Sequence, residues 1–159
     1  MSKSRGDGAP AYKDPVSLGG NSYQRGKKSD IFSLGVILWE ISSGKSPYGE
    51  LTEPMQICVY RLKGSRDSPF PGTPEEYINL YSDCWDEDPN KRPLCANIHM
   101  RLKCCYQMDD LNKSLDIEPN NAWALSRRGG VYYNLKQYDN SLIDLDKSLE
   151  IEPNEMRGR

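Results

Sequence analysis

Apolar residues concentrate in one window of this chain, Ser29 to Gly44, which reads SDIFSLGVILWEISSG. They recur at helical spacing on two sides of one helix: Ile31, Leu34, Leu38 and Ile41, then Phe32, Val36 and Trp39. A helix that is apolar nearly all round is buried on most of its sides, so we expect the first two-thirds of the chain to pack around it. Ser29 or Asp30 can cap its start, and Gly44 suits its end. The window is shorter than the roughly 20 apolar residues of a membrane span.

Shorter helical patterns lie on either side of this window. Residues 9–28 have the proline and glycine content of a loop, with one helical turn expected after Pro15. Residues 53–62 predict a helix whose apolar face holds Met55, Val59 and Leu62. Residues 94–102 predict another helix, lined on one side by Leu94, Ile98, Arg101 and Leu102. The pattern leaves open whether that helix runs unbroken to Ile117 or bends near residues 107–110.

The segment TPEE at residues 73–76 has the composition of a helix start. Thr73 is predicted to cap the helix and Pro74 to occupy its first position, while Glu76 reaches back to complete a capping box. The apolar face that follows consists of Tyr77, Leu80, Tyr81, Cys84 and Trp85. The turn DEDPNKRP at residues 86–93 then separates this helix from the next.

The last third of the chain contains an internal repeat. Residues 111–120 read LNKSLDIEPN and residues 145–154 read LDKSLEIEPN, at an offset of 34 residues. The copies differ only at Asn112/Asp146 and Asp116/Glu150. A period of this length indicates a helical repeat.

Composition narrows the classes of function. The chain has 21 basic and 23 acidic residues and a net charge of −2, which argues against nucleic-acid and membrane-surface partners. Its five cysteines include no Cys-x-x-Cys pair and His99 is the only histidine, so we expect neither a metal site nor a disulfide framework. Such thiols are typical of a reducing compartment, and we expect a cytoplasmic protein without a signal peptide.

No self-contained catalytic motif emerges from the residues. Gly44-Lys45-Ser46 ends like a phosphate-binding loop, but Trp39 stands where the first glycine is required. The neighbouring carboxylates Asp109-Asp110 and Glu75-Glu76 do not face each other on a helix, so they do not form an acid–base pair. We therefore predict no catalytic, cofactor-binding or metal-binding residue in this chain.

Two motifs resemble the C-terminal lobe (C-lobe) of protein kinases. KSDIFSLGVILWEISSGKSPYG, residues 28–49, is similar to the central helix of that lobe and the turn after it. DCWDEDPNKRP, residues 83–93, resembles the turn before its last helix, and PGTPEEYINLYSDCW, residues 71–85, is similar to kinases of the tyrosine-kinase-like group. AYKDPV, residues 11–16, lies where such kinases end the activation segment with Ala-Pro-Glu. The resemblance covers about residues 9–103.

The resemblance assigns structural roles to four residues. Asp30 would accept hydrogen bonds from the catalytic-loop turn, and Tyr12 would line the floor on which a substrate peptide docks. Arg92 would pair with the glutamate of Ala-Pro-Glu, but Val16 stands at that position here. Since an unpaired buried arginine is costly, we expect Arg92 to be partly hydrated or to bond carbonyls or an acid such as Asp14. Trp85 is expected to be core packing.

The resemblance also implies what the 159 residues do not contain. Phosphoryl transfer needs a nucleotide cradle, a catalytic aspartate and magnesium ligands. The sequence has no His-Arg-Asp, no Asp-Phe-Gly and no Gly-rich loop. We therefore expect ATP and Mg²⁺ to bind only to a full-length parent kinase, and this chain to be inactive alone and marginally stable.

The 34-residue repeat resembles the tetratricopeptide repeat (TPR). The positions that match the TPR signature are Leu125, Gly129, Tyr132, Leu135, Tyr138, Ser141, Leu145, Ser148 and Pro153. Leu111 to Pro119 matches only the second helix of a preceding repeat. The resemblance implies that these helices bind a protein or peptide.

Together these arguments predict an all-α protein: partial kinase C-lobe helices around one buried helix, then a TPR-type helical hairpin. The expected domains are a disordered N-terminus at residues 1–8, a partial C-lobe at 9–103, a TPR region at 104–154 (one half repeat and one full repeat) and a disordered tail at 155–159. Three functions stay open: an inactive kinase fragment, a non-catalytic TPR-based binding or scaffold module, and one chain of a split kinase. A partner that covers the exposed face of the 29–44 helix is also expected.

Overall fold

The computed structural model describes residues 10–18, 26–51 and 53–153. The expected disordered ends, residues 1–8 and 155–159, lie outside these ranges. A 3-10 turn at Pro10–Tyr12 opens the described part of the chain. The helices that follow are α1 Pro15–Leu18, α2 Lys27–Ser43, α3 Pro54–Leu62, α4 Glu75–Cys84, α5 Cys95–Ile117, α6 Ala122–Asn134 and α7 Tyr138–Ile151.

The described residues form helices and turns and no strand, so the predicted all-α fold class is confirmed. The chain divides into two compact units, a first unit that ends at Ile98 and a second unit that begins at His99. Within the described ranges, no helix combines the length and hydropathy needed to cross a lipid bilayer.

The core of the first unit lies where α2 packs on α4. Phe32 and Val36 of α2 and Leu80 and Tyr81 of α4 are fully buried. The two helices approach so closely at Gly35 that a Cβ there would lie 2.9 Å from the Cβ of Cys84. Only glycine fits a contact this close, because it has no Cβ. Gly35 therefore allows α2 to lie directly against the C-terminal end of α4.

The central helix α2 is longer and less completely buried than its sequence predicts. It begins at Lys27 with Gly26 in the capping position, so the predicted cap by Ser29 or Asp30 is wrong. Gly44 ends it in the left-handed conformation, as predicted. Ile37 is 40% exposed and Ile41 is 68% exposed, because no described element of the first unit covers that side of the helix.

The apolar face predicted for α3 points to solvent instead of to a core. Met55 is 73%, Val59 45% and Leu62 55% exposed. The residue that anchors this helix is Arg61, which is 1% exposed. The helical spacing of apolar residues therefore identified the helix correctly but not its buried side.

The helix starts after residue 73 differ from those predicted. Helix α4 begins at Glu75, with Pro74 in the capping position and no side-chain cap, so the predicted Thr73 cap is wrong. Its predicted apolar face is confirmed, since Leu80, Tyr81, Cys84 and Trp85 are buried. Leu94 was expected on the buried side of the next helix and is 63% exposed, just before α5 begins. Helix α5 runs unbroken to Ile117.

The second unit contains a tight helical hairpin made of α6 and α7. Asn121 caps α6, its side-chain oxygen accepting a hydrogen bond of 2.9 Å from the backbone N–H of Ala124. At Gly129 a Cβ would lie 2.8 Å from the Cγ of Leu145, which places the two helices in close contact. An apolar cluster joins the hairpin to the C-terminal part of α5 through Cys104, Leu111, Leu115, Ala124, Leu125 and Val131.

Candidate functional site

The segment before α2, residues 10–18, is held to the helices of the first unit by polar contacts. The Tyr12 hydroxyl donates a hydrogen bond of 2.8 Å to Oε2 of Glu40 on α2. The Ser33 hydroxyl donates to the backbone oxygen of Tyr12, also at 2.8 Å. Burial and the Glu40 carboxylate together raise the pKa of Tyr12 above its ordinary value, so this hydroxyl keeps its proton at neutral pH.

Arg92 and Asp14 form a bidentate ion pair at the centre of the first unit. Nη1 of Arg92 lies 2.7 Å from Oδ2 of Asp14, and Nη2 lies 2.9 Å from Oδ1. The two side chains are 0% and 1% exposed. The Arg92 guanidinium also donates to the backbone oxygens of Asp86 and Lys28, at 2.8 and 2.9 Å. The pair thus fastens segment 10–18 to the turn that precedes α5.

The environment of Asp14 keeps its carboxylate ionised. Burial works against the charged form, but hydrogen bonds from Arg92 and Ser29 outweigh it and hold the pKa of Asp14 below its ordinary value. The Ser29 hydroxyl donates to Oδ2 at 2.9 Å, and the backbone N–H of Val16 donates to Oδ1 at 3.2 Å. Asp14 therefore accepts bonds from its own segment, from α2 and from Arg92.

Arg61 is a second buried guanidinium, and the sequence pattern did not identify it. Its two terminal nitrogens donate to the backbone oxygens of Pro10 and Lys13. Burial lowers its pKa, and the neighbouring Arg66 adds to this effect. Because charged residues normally lie on the exposed side of a helix, no spacing rule marks Arg61 as the buried residue of α3.

Three guanidinium groups surround the ring of Phe32. The Cζ atoms of Arg61, Arg92 and Arg66 lie 4.9, 5.0 and 5.4 Å from the ring centroid. A cation near an aromatic face is attracted by the ring quadrupole, and the attraction is larger where both groups are buried. Phe32, itself fully buried, is therefore the point at which α2, α3 and the turn before α5 meet.

The sequence matches the family described as protein tyrosine and serine/threonine kinase over residues 17–102, which is more than half of the chain. The chain belongs to this kinase family.

Curated relatives include members from several lineages. A probable serine/threonine-protein kinase of Dictyostelium discoideum is 37% identical over 109 residues, which is 62% of this chain and 6% of the relative. Human mitogen-activated protein kinase kinase kinase 10 is 37% identical over 82 residues, 51% of this chain and 8% of the relative. Rat vascular endothelial growth factor receptor 1 is 36% identical over 113 residues, 70% of this chain and 8% of the relative. The chain thus spans less than a tenth of the length of these kinases.

The other residues singled out in the kinase region lie apart from the ion pair or at its edge. Trp85 is 7% exposed and packs edge-on against Tyr81, with ring centroids 5.1 Å apart. Asp30 is exposed in the first turn of α2. Of the four kinase-like positions, Tyr12 lies in segment 10–18 and binds Glu40 of α2, Arg92 binds Asp14 of the same segment, and Trp85 lies in the core.

The positions singled out in the last third lie on the α6–α7 hairpin. The Ser141 hydroxyl donates to the backbone oxygen of Gly129 at 2.8 Å, and the Ser148 hydroxyl donates to that of Ala122 at 2.9 Å. Leu125 is 2% exposed. The remaining members are the half-buried Tyr132, Leu135 and Leu145 and the exposed Tyr138 and Pro153.

An ion pair also joins the two helices of the hairpin in the second unit. Nε of Arg128 lies 2.6 Å from Oδ2 of Asp144 on α7, and Nη1 lies 3.0 Å from Oδ1 of Asn112 on α5. The Asp144 carboxylate raises the pKa of Arg128. Sequence reasoning missed this residue, although Arg128 lies beside the signature glycine at 129.

Proposed function

We propose that residues 9–103 are the substrate-side part of a kinase C-lobe, in a protein that transfers phosphate from ATP to protein hydroxyl groups. The buried Asp14–Arg92 pair carries this proposal. An arginine in this turn that holds the end of the activation segment is what the family resemblance implies, and Asp14 supplies the carboxylate that Val16 cannot. The pattern of residues 71–85 supports membership of the tyrosine-kinase-like group.

We propose further that these 159 residues do not catalyse phosphoryl transfer on their own. The sequence carries no His-Arg-Asp, Asp-Phe-Gly or Gly-rich loop, so no residue is present for the nucleotide cradle, the catalytic base or the asparagine ligand of magnesium. The described residues include no group of three acidic, cysteine or histidine side chains that fits a metal ion. We assign ATP and Mg²⁺ to a full-length parent.

The experiment combines binding with activity. A fluorescent ATP analogue is titrated into the purified chain with and without Mg²⁺, and phosphate transfer to a generic protein substrate is followed with labelled ATP. The expected result is neither binding nor transfer. Magnesium-dependent binding by this chain alone would refute the proposal. In-frame catalytic motifs in the genomic sequence upstream of Met1 would identify a truncated gene product of a working kinase.

We propose that residues 104–154 form a TPR module that binds a protein or peptide. The 34-residue sequence repeat supports this, and so does the close Gly129–Leu145 contact of the α6–α7 hairpin. An exposed Trp123, with the Arg127 guanidinium 5.6 Å from its ring centroid, borders a groove between the two helices. Pull-downs with the full chain and with a Trp123→Ala/Arg127→Ala variant test it, since a groove-bound partner is lost from the variant. Partners that both capture equally count against the module.

Two further proposals concern the surroundings of the chain. Ile37 and Ile41 leave an apolar side of α2 open, and we propose that a partner covers it, since it is continuous with the core helix of the first unit. We also propose a cytoplasmic protein, because none of the five cysteines forms a disulfide, as is usual in proteins of reducing compartments.

A further inference from the structure

The internal repeat places two equivalent apolar stripes on two different helices. On α5 the stripe consists of Cys104, Met108, Leu111 and Leu115. Thirty-four residues later, on α7, the equivalent stripe consists of Tyr138, Leu142, Leu145 and Leu149. We call the second set the α7 stripe.

The two stripes differ in what covers them. On α5, Cys104 is 3%, Leu111 8% and Leu115 7% exposed, because they pack with α6 in one apolar cluster. On the α7 stripe, Tyr138 is 54%, Leu142 59% and Leu149 40% exposed. The same repeat positions are therefore covered on α5, whereas on α7 three of the four are open and only Leu145 packs against α6, at Gly129.

The covered stripe defines the chemistry of the helix that fits it. The face of α6 at helical spacing towards α5 consists of Ala124, Arg128, Val131 and Leu135. Ala124 and Val131 belong to the shared cluster, and Leu135 packs against it. The arginine of this face donates to Asn112 of α5 at 3.0 Å.

The open stripe has a carboxylate beside it where the covered stripe has an amide. The repeat counterpart of Asn112 is Asp146, an exposed aspartate beside the α7 stripe. An arginine in the position of Arg128 would meet a carboxylate there in place of an amide, and a carboxylate adds an opposite charge and a second acceptor oxygen for the guanidinium.

We propose that the α7 stripe is the docking site for a helix of a partner protein that carries the face of α6. Such a helix has a small residue, an arginine, a valine and a leucine at positions i, i+4, i+7 and i+11. Its arginine pairs with Asp146 and its apolar residues cover Leu142 and Leu149. The inference rests on the proposed repeat module of residues 104–154, and names a partner for the side of α7 at Tyr138 and Leu142, which adjoins the groove at Leu145 and Leu149.

The test uses the full chain and a fluorescent peptide of residues 120–137, which carries the α6 face. The peptide is expected to bind, as measured by fluorescence anisotropy. Leu142→Asp in the chain is expected to abolish binding, while Ile143→Asp, at an equally exposed neighbour off the stripe, leaves it unchanged. Loss of binding in both variants, or in neither, overturns the proposal.

A charge exchange fixes the register and does not depend on how the apolar variants fold. An Arg128→Glu peptide is expected to bind the native chain about tenfold more weakly, and an Asp146→Arg chain is expected to restore its binding. Binding that responds to Asn112→Ala and not to Asp146→Arg means that the peptide replaces the chain's own α6, which overturns the proposal.

Two outcomes separate this proposal from self-association of the chain and from the proposed groove partner. Light scattering after gel filtration is expected to find no association that depends on Leu142, and a dimer that Leu142→Asp dissociates would assign the stripe to a second copy and overturn the partner helix. Failure of the peptide test alongside a groove partner that needs Trp123 and Arg127 removes the α7 site and leaves the repeat module standing. A peptide that binds in register, in the absence of any partner that needs Trp123 and Arg127, supports the α7 site and counts against the groove partner.

Discussion

At the scale of single residues, the first unit depends on how its buried charges are paired. Arg92 has a carboxylate partner in Asp14, whereas Arg61 is bound by two backbone oxygens. A buried pair with one partner removed leaves an uncompensated charge, which costs about 3–5 kcal/mol. The two arginines are therefore expected to respond differently to substitution.

Asp14→Asn is expected to lower the free energy of unfolding by about 3 kcal/mol at pH 7, since Arg92 loses its counter-charge. The measurement is urea denaturation followed by tryptophan fluorescence. Asp30→Asn, at an exposed aspartate of the same unit, is the control, with a loss of at most about 1 kcal/mol from the helix dipole. Equal losses in the two variants would contradict a special role for the pair.

The pH dependence of the same pair has a definite sign. Because the folded pKa of Asp14 lies below its ordinary value, its contribution to stability is present above the unfolded pKa of about 3.9 and is lost as the pH falls through the lower folded value. The native chain and Asp14→Asn should therefore converge in stability in acid. A gap between them that stays constant down to pH 2 would contradict this.

Arg61→Lys is expected to loosen segment 10–18, because one ammonium group cannot reproduce the planar fork that donates to Pro10 and Lys13. The loss of one charged hydrogen bond costs about 1.5–3 kcal/mol. Hydrogen exchange of the peptide that covers residues 10–18 measures it. Lys63→Arg, at an exposed position two residues later, should leave that exchange rate unchanged.

At the scale of helices, close contacts occur at particular glycines. Gly129 and its neighbour Gly130 form a matched pair on α6, since a Cβ at Gly129 would lie 2.8 Å from Leu145 and a Cβ at Gly130 would meet nothing within 4 Å. We therefore expect an added side chain to disturb the hairpin at Gly129 and to be tolerated at Gly130.

Gly129→Ala is expected to destabilise the chain by about 1–3 kcal/mol through overpacking of the hairpin. Gly130→Ala is expected to stabilise it by about 0.5–1 kcal/mol, because alanine favours a helix over glycine. Thermal unfolding followed by circular dichroism at 222 nm compares them. Shifts of the same sign would mean that α6 and α7 do not pack as described.

At the scale of the whole molecule, the open side of α2 limits the stability of the free chain. Leaving roughly 200 Å² of apolar surface in water forgoes about 5 kcal/mol, close to the net stability of a domain. We expect the chain alone to unfold at a low temperature or to associate through this side. Cooperative unfolding of a monomer well above ambient temperature would contradict this expectation.

Ile41→Lys tests where that association occurs. The variant is expected to stay monomeric at higher protein concentration than the native chain, because a charge interrupts the open apolar side. Sedimentation velocity over a concentration series measures it. Leu94→Lys is a matched control, since Leu94 is 63% exposed and Ile41 68%. An equal effect of both substitutions would exclude a specific role for α2.

The sequence determined the existence of most helices, because helical periodicity and loop residues act locally. It placed α2, α3 and α4 within two residues of their observed bounds, and it identified the kinase family from two short motifs. It also named Asp14 as an acid within reach of Arg92. These inferences depend on spacing along the chain, which the sequence records directly.

The sequence predicted the buried side of α4, but only the tertiary structure decided the buried side of α3. The apolar residues of α3 face solvent while Arg61 is buried, because the backbone oxygens of segment 10–13 lie beside that helix and satisfy a guanidinium. The same holds for Phe32, whose three arginine neighbours come from distant parts of the chain. Periodicity identifies a helix and its faces, but which face is covered depends on the elements that long-range packing brings against it.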